Sequence, residues 1–272
     1  HRQEGAGVMR PAIVVTSFGV SASEAREKSL VPIVREITEA FPDFTVVEAY
    51  TSAFIRRRLQ EAGIDMASLA ERLEELCRAG VREVYVQPTH LTPGEEYENK
   101  ILKEAEVFSS RFDVLKVGEP VFFRADGTEN DDIAHGLAAI FSGLAPQTGE
   151  ATVLLGHGSP HRHNPVYRLL QQRADEEGLP VHIGVLEEAD VPNFAIVLER
   201  LEKSGKKHVL LAPLLLAGGR HVTHDLAGEE DGSWKSRLQK AGFSVRLDRR
   251  TLGEKTAFRR IYIEKLYRLI KK

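Results

Sequence analysis

The chain carries one half-domain pattern twice, and this internal repeat constrains its fold more than any other feature. A short apolar run ending in a glycine-containing turn opens each copy, at Ala12–Gly19 and again at Thr152–Gly158. Later in each copy a second apolar run ends in a proline, Pro88 or Pro213, and a glycine follows six residues beyond it. A chain that repeats a whole pattern of this length is expected to build two similar structural units. We therefore expect two lobes with a central cleft.

Strand-like and helix-like segments alternate within both copies. Pro11–Ser17 is an example of the apolar, β-branched runs, and Met66–Ala79 is an example of the amphipathic stretches that alternate with them. A capping-box pattern predicts a helix from Ser21 to about Phe41, which Pro32 either kinks or restarts. This alternation is typical of βαβ units with parallel strands. The predicted fold class is α/β, with two similar doubly wound parallel-sheet lobes at 11–143 and 151–272 around a linker at 142–150.

Composition excludes several classes of function. The net charge of −3 over 272 residues gives no general attraction to nucleic acid. No apolar stretch reaches the ~20 residues that a membrane span needs. The single cysteine, Cys77, excludes an intrachain disulfide framework. We expect a cytoplasmic protein, and a periplasmic location stays open because His1–Arg10 reads equally well as a tag remnant or a processed end.

Three residues with metal-ligand chemistry follow neighbouring strands of the second copy. His157 lies between two glycines after the first strand, Glu187 follows the next, and His221 comes after a leucine-rich run. Ligands of open parallel sheets bind beyond the carboxyl ends of the strands. Two imidazoles and a carboxylate suit Co²⁺, Ni²⁺, Fe²⁺ or Zn²⁺. The three residues therefore predict a metal site in the second lobe.

Each of these signals is weak by itself. A histidine at a strand end is more often a structural hydrogen-bonding group, and Glu188 and Asp190 compete with Glu187 for any role as a ligand. Thr51 is the expected counterpart of Glu187 in the first copy, and His224 is a candidate extra ligand. The chain has no Walker-type phosphate loop, Gly-x-Ser-x-Gly elbow or dinucleotide fingerprint. An open, three-ligand metal site with room for an incoming group would suit catalysis or metal delivery.

Along almost its whole length the chain resembles the anaerobic-pathway sirohydrochlorin cobaltochelatases, which have the class II chelatase fold. The motifs that carry the resemblance are Ser17-Phe18-Gly19, Ala49-Tyr50-Thr51-Ser52, Gln87-Pro88-Thr89-His90, Pro93-Gly94-Glu95-Glu96-Tyr97, Gly156-His157-Gly158-Ser159-Pro160-His161 and Gly184-Val185-Leu186-Glu187. The resemblance implies that His157, Glu187 and His221 bind the metal. The chain departs from the family pattern at Arg220, His224 and Glu188, where the family usually has aspartate, asparagine and glycine.

The resemblance also implies a reaction, the insertion of Co²⁺ into sirohydrochlorin for cobalamin biosynthesis. Co²⁺ is then a substrate, the tetrapyrrole is the partner, and no organic cofactor is expected. His157 or Glu96 would accept the pyrrole protons as catalytic bases. Ser17, Phe18 and Gly19, together with Arg26 and Glu95, would bind the carboxylate-bearing macrocycle.

Other interpretations stay open at this point. A nickel or iron chelatase of the same fold would use the same donor atoms. A non-catalytic tetrapyrrole or metal carrier would bind without turnover, with His90 as an extra or axial ligand. The apolar face of the terminal helix, which includes Phe258 and Ile261, could pack on its own lobe or form a homo-oligomer.

Overall fold

The computed structural model describes residues 9–160 and 164–272, with only the backbone described for Arg220, His221 and Val222. The chain divides into two compact units. Unit 1 comprises the described residues up to Ser21 together with Leu30–Glu129 and Arg260–Lys272. Unit 2 comprises Ala22–Ser29 and Asn130–Arg259.

Each unit is built on one parallel sheet. In unit 1 the strands are β1 Ala12–Ser17, β2 Thr45–Tyr50, β3 Glu83–Pro88 and β4 Val114–Val117, in the order β2-β1-β3-β4. In unit 2 they are β5 Glu150–Gly156, β6 Val181–Val185, β7 His208–Pro213 and β8 Ser244–Leu247, in the order β6-β5-β7-β8. All pairings are parallel. The predicted fold class of two similar doubly wound sheets is confirmed.

Helices connect the strands. In the first half they are α1 Ser23–Ser29, α2 Val31–Ala40, α3 Ala53–Glu61, α4 Leu69–Arg78, α5 Glu95–Tyr97 and α6 Lys103–Val107, with a π-helical turn at Glu98–Leu102. In the second half they are α7 Asp132–Ser142, α8 Val166–Glu176, α9 Phe194–Ser204, α10 Arg220–Ala227, α11 Trp234–Lys240 and α12 Thr256–Lys271. No helix of the described residues is both long and apolar enough to cross a membrane.

The structure decides between the two alternatives for Pro32, which marks the first turn of a separate helix. The predicted helix from Ser21 to Phe41 is two helices, α1 and α2, because Pro32 occupies the first turn of α2. Proline lacks an N–H and fits where no helical hydrogen bond is needed. The helical stretch after Gly94 is likewise divided, since a π-helical turn separates α5 from α6. Helix α7 is not among the predicted elements.

The core of each unit lies against its central strands. Every residue of β1 and of β5 is buried, since each is the second strand of its sheet and is covered on both faces. In unit 2, Trp234 of α11 packs edge-on against Phe194 of α9, and both belong to the hydrophobic core cluster of that unit.

Candidate functional site

The strand order places a topological switch point in each unit. In unit 2 the chain leaves β5 to form β6 on one side and later forms β7 on the other side. Open α/β sheets bind ligands beyond the carboxyl ends of the strands at such a point. His157 follows β5 directly, Glu187 follows β6, and His221 lies in the first turn of α10, which follows β7. The backbone therefore brings all three positions to one edge of one sheet.

The loops that carry His157 and Glu187 are joined by hydrogen bonds. The backbone N–H of Glu187 donates to the carbonyl of His157 at 3.0 Å, and Leu186 N–H donates to the carbonyl of Gly156 at 2.9 Å. These bonds continue the β5–β6 ladder past the strand ends. The side chain of His157 is exposed and that of Glu187 is half-buried. The structure therefore holds the backbones of these two candidate ligands side by side.

Gly158 gives the turn after His157 its shape. Its φ of +73° lies in the left-handed region that glycine adopts at little cost. A Cβ at this position would lie 2.8 Å from the Cβ of Val185 and 3.1 Å from that of Glu187. The Gly158 N–H donates to the Tyr167 hydroxyl at 3.3 Å. Only glycine allows the turn to lie this close to the loop after β6.

Among the three neighbouring carboxylates, Glu187 is the one with the fewest competing contacts. Glu188 forms an ion pair with Arg237. Asp190 is 4% exposed, and its two oxygens accept backbone N–H groups, from Ser159 at 2.9 Å and from Val191 at 2.8 Å. Glu187 accepts a longer hydrogen bond, 3.3 Å, from the N–H of Ala189. This distribution favours Glu187 as the carboxylate that is available to a metal.

The histidines that follow β5 and β7, other than His157, fall into two groups. The side chain of His221 and all of His161 and His163 lie outside the described residues. His224, the candidate extra ligand, is exposed, and its Nε2 lies 3.0 Å from a carboxylate oxygen of Glu230. Among the side chains that the structure describes, no group of three or more His, Cys, Asp or Glu is placed to hold a metal. His224 in this arrangement binds a glutamate, and the triad with His221 stays a prediction.

The candidate substrate-binding turn of unit 1 is tightly fixed. The hydroxyl of Ser17 accepts a hydrogen bond from Thr89 at 2.7 Å. Gly19 has a φ of +106°, and a Cβ there would lie 2.4 Å from the ring of Tyr50. Phe18, between Ser17 and Gly19, is 48% exposed. The turn therefore presents an aromatic side chain outward from a rigid backbone.

Several polar groups in unit 1 are buried without a partner in the described structure. Both ring nitrogens of His90 and the Oε2 of Glu96 are in this state. Burial lowers the pKa of His90 to about 4, so the imidazole is neutral near pH 7. Glu95 and Glu96 begin helix α5, where Glu95 is exposed and Glu96 half-buried. The same burial disfavours the protonated imidazole, so His90 is a poor proton acceptor near pH 7.

Unit 2 also contains a cavity of about 840 Å³ beside α10. Its lining includes Lys28 of α1, His224 of α10 and Arg249 after β8. Arg26, the predicted carboxylate-binding residue, also lies on α1, and its Nη1 is buried without a partner in the described structure. A volume of this size is in the range of small-molecule sites.

The fold and these strand ends define the class of protein. The structure of SirB from Bacillus subtilis with Fe³⁺ superposes with a TM-score of 0.66 at 18% identity, and the match covers 96% of both chains. This likeness shows that the chain has the fold of a chelatase. Residues 11–271 match the family model described as Cobalt chelatase (CbiK). The chain therefore belongs to the cobalt chelatase family.

Two relatives resemble the chain over most of its length. The sirohydrochlorin cobaltochelatase of Salmonella typhimurium is 30% identical over 264 residues, which cover 96% of this chain and 97% of the relative. The sirohydrochlorin cobaltochelatase CbiKC of Nitratidesulfovibrio vulgaris is 32% identical over 241 residues, which cover 88% of this chain and 83% of the relative.

Proposed function

We propose that this protein inserts Co²⁺ into sirohydrochlorin, as the names of its relatives describe. The observation that carries the proposal is the pairing of His157 and Glu187 at the switch point of unit 2, in a member of the cobalt chelatase family. An imidazole and a carboxylate are donors suited to Co²⁺, which is here the substrate metal. His221, in the first turn of α10, is the proposed third ligand.

Metal insertion also requires groups that accept the two pyrrole protons. His157 and Glu96 are the proposed acceptors, since a positioned base contributes typically ~10²–10⁴-fold to such a step. The buried Oε2 of Glu96 supports its part in the proposal, because this acceptor oxygen has no hydrogen-bond partner in the described structure.

Sirohydrochlorin carries a rim of carboxylates, which requires cationic and N–H donors. Arg26 is the proposed carboxylate-binding side chain, because the N–H groups on its buried Nη1 have no hydrogen-bond acceptor in the described structure. The backbone of Ser17–Gly19 is a further proposed donor, with Phe18 packing on the macrocycle and Glu95 beside it. His90 and His224 stay secondary candidates as ligands.

The decisive experiment follows the absorption spectrum of sirohydrochlorin with the purified protein and Co²⁺ in the absence of oxygen. We expect repeated turnover with the wild type and none with His157→Ala. The matched control is His208→Ala, which removes an exposed imidazole at the opposite, amino end of β7 and should turn over like the wild type. Full activity of His157→Ala would refute the assignment.

The same assay separates the related functions. Insertion of Ni²⁺ or Fe²⁺ faster than Co²⁺ would identify a chelatase with another metal preference. A single spectral shift in proportion to the protein, without turnover, would identify a carrier.

A further inference from the structure

We propose that Asp190 is a positioning residue that holds the His157 turn against the Glu187 loop, so that the two ligands converge before a metal arrives. This inference rests on the proposed function of His157 and Glu187. It assigns Asp190 to the support of the site and not to the ligand set.

The geometry of the carboxylate carries the inference. Asp190 is 4% exposed and stands in the loop after β6, yet its Oδ2 accepts the N–H of Ser159, two residues beyond His157 in the loop after β5, at 2.9 Å. Its Oδ1 accepts the N–H of Val191 at 2.8 Å, which orients the carboxylate within its own loop. One buried side chain therefore joins the two loops.

The backbone of both loops reinforces this connection. The N–H of Asp190 donates to the carbonyl of Glu187 at 3.1 Å, and the N–H of Glu187 donates to that of His157 at 3.0 Å. A Cβ added at Gly158 would lie 3.1 Å from Asp190 Oδ2, so the carboxylate lies directly against the turn. Hydrogen bonds that backbone N–H groups donate to a carboxylate are among the stronger ones in proteins.

A support of this kind acts on metal affinity. Ligands that are already convergent lose less conformational freedom on binding than ligands on a loose turn. Residues that orient metal ligands typically change metal affinity or activity by ~10–100-fold when they are replaced. A matched control within the same connection is Asn193, whose side chain accepts the N–H of Ile196 at 3.3 Å and caps α9. Among the described residues it forms no hydrogen bond to the His157 turn.

The test compares Asp190→Asn with Asn193→Ala in the full-length protein by titration calorimetry with Co²⁺ alone. Asp190→Asn keeps the size of the side chain but puts an NH₂ group where an oxygen accepts an N–H. We expect a loss of Co²⁺ affinity of ~10–100-fold, a higher KM for Co²⁺ and an unchanged KM for the macrocycle. Asn193→Ala should unfold at a lower temperature, because it loses the cap of α9, and should keep its Co²⁺ affinity.

A second variant keeps the inference testable if Asp190→Asn fails to fold. Tyr167→Phe removes only the hydroxyl that accepts the Gly158 N–H and should lower Co²⁺ affinity by a few-fold. Equal Co²⁺ affinity in Asp190→Asn and the wild type, or equal losses in Asp190→Asn and Asn193→Ala, would overturn the positioning role.

The visible spectrum of bound Co²⁺ distinguishes support from ligation. At saturation the bands of Asp190→Asn should match the wild type, because the donor atoms are the same, and shifted bands would mean that Asp190 is itself a ligand. Retained Co²⁺ binding in His157→Ala would instead refute the proposed ligand set.

Discussion

Replacing Gly158 by alanine should destabilise unit 2 much more than the same change at a glycine with open surroundings. At Gly158 the new Cβ would lie 2.8 Å from Val185 Cβ and 3.1 Å from Asp190 Oδ2, with a φ of +73°. Gly178, after α8 in the same unit, has a φ of +69° and no atom within 4 Å of the corresponding Cβ. The two substitutions differ in steric contact and hardly at all in backbone conformation.

The expected magnitudes follow from this difference. The left-handed conformation costs an L-residue roughly 1–2 kcal/mol. Loss of freedom in the unfolded chain offsets about 0.4–1 kcal/mol of that cost. We expect Gly178→Ala to lower the free energy of unfolding by about 1 kcal/mol. Gly158→Ala adds an overpacking term of about 1–3 kcal/mol, since Val185 belongs to a buried strand that cannot shift freely.

Urea unfolding followed by circular dichroism measures both variants. Because both glycines lie in unit 2, the same transition reports on each of them. With a slope of ~1–3 kcal/mol/M, a difference of this size is a clear shift in the midpoint. Equal midpoints for Gly158→Ala and Gly178→Ala would refute the steric reasoning, because the backbone term alone would then account for both.

Two further predictions concern unit 1. Burial lowers the pKa of His90 to about 4 from 6.5, so the unfolded chain takes up the proton first as the pH falls. The stability associated with the neutral, buried imidazole is therefore present above pH 6.5 and is lost toward pH 4, by at most about 3 kcal/mol. His90→Gln should flatten that loss in urea midpoints measured at pH 7 and pH 5, and an unchanged slope would contradict the burial argument. Ser68→Ala removes the capping box that Ser68 forms with Glu71 at the start of α4, and should cost about 1 kcal/mol in thermal unfolding. Ser68→Thr keeps the hydroxyl and should behave like the wild type; a loss as large as that of alanine would mean that the cap is not the cause.

The sequence predicts the fold well because the same pattern of strands and turns occurs in both copies. Strands such as β3 and β7 are marked by the same apolar run and proline, so each copy supports the interpretation of the other. Helix α7, Asp132–Ser142, is the instructive omission. It follows β4 as α12 follows β8, so the repeat itself contains the signal for it. Gly136 lies within this helix and weakens its helical pattern, because glycine is a poor helix former.

The site is harder to predict because its geometry depends on hydrogen bonds between strand ends. His157 and Glu187 are found from residue type and position after a strand. The supporting bonds of Asp190 and Tyr167 are not, because a bond between a carboxylate or phenol and a backbone N–H in another loop leaves no sequence pattern. The register also corrects one prediction. Ser52, and not Thr51, is the counterpart of Glu187, because the Ser52 N–H donates to the Phe18 carbonyl as Glu187 N–H does to that of His157.

This register explains how one backbone supports two different strand ends. In unit 1 the side chain of Ser52 accepts the N–H of Ile55 and caps α3, which begins at the next residue. In unit 2 the following helix, α9, begins later and is capped by Asn193, so the carboxylate of Glu187 is not needed as a helix cap. The longer connection after β6 separates the capping residue from the strand-end residue. A candidate metal ligand can therefore occupy that strand end in unit 2, whereas a helix cap occupies it in unit 1.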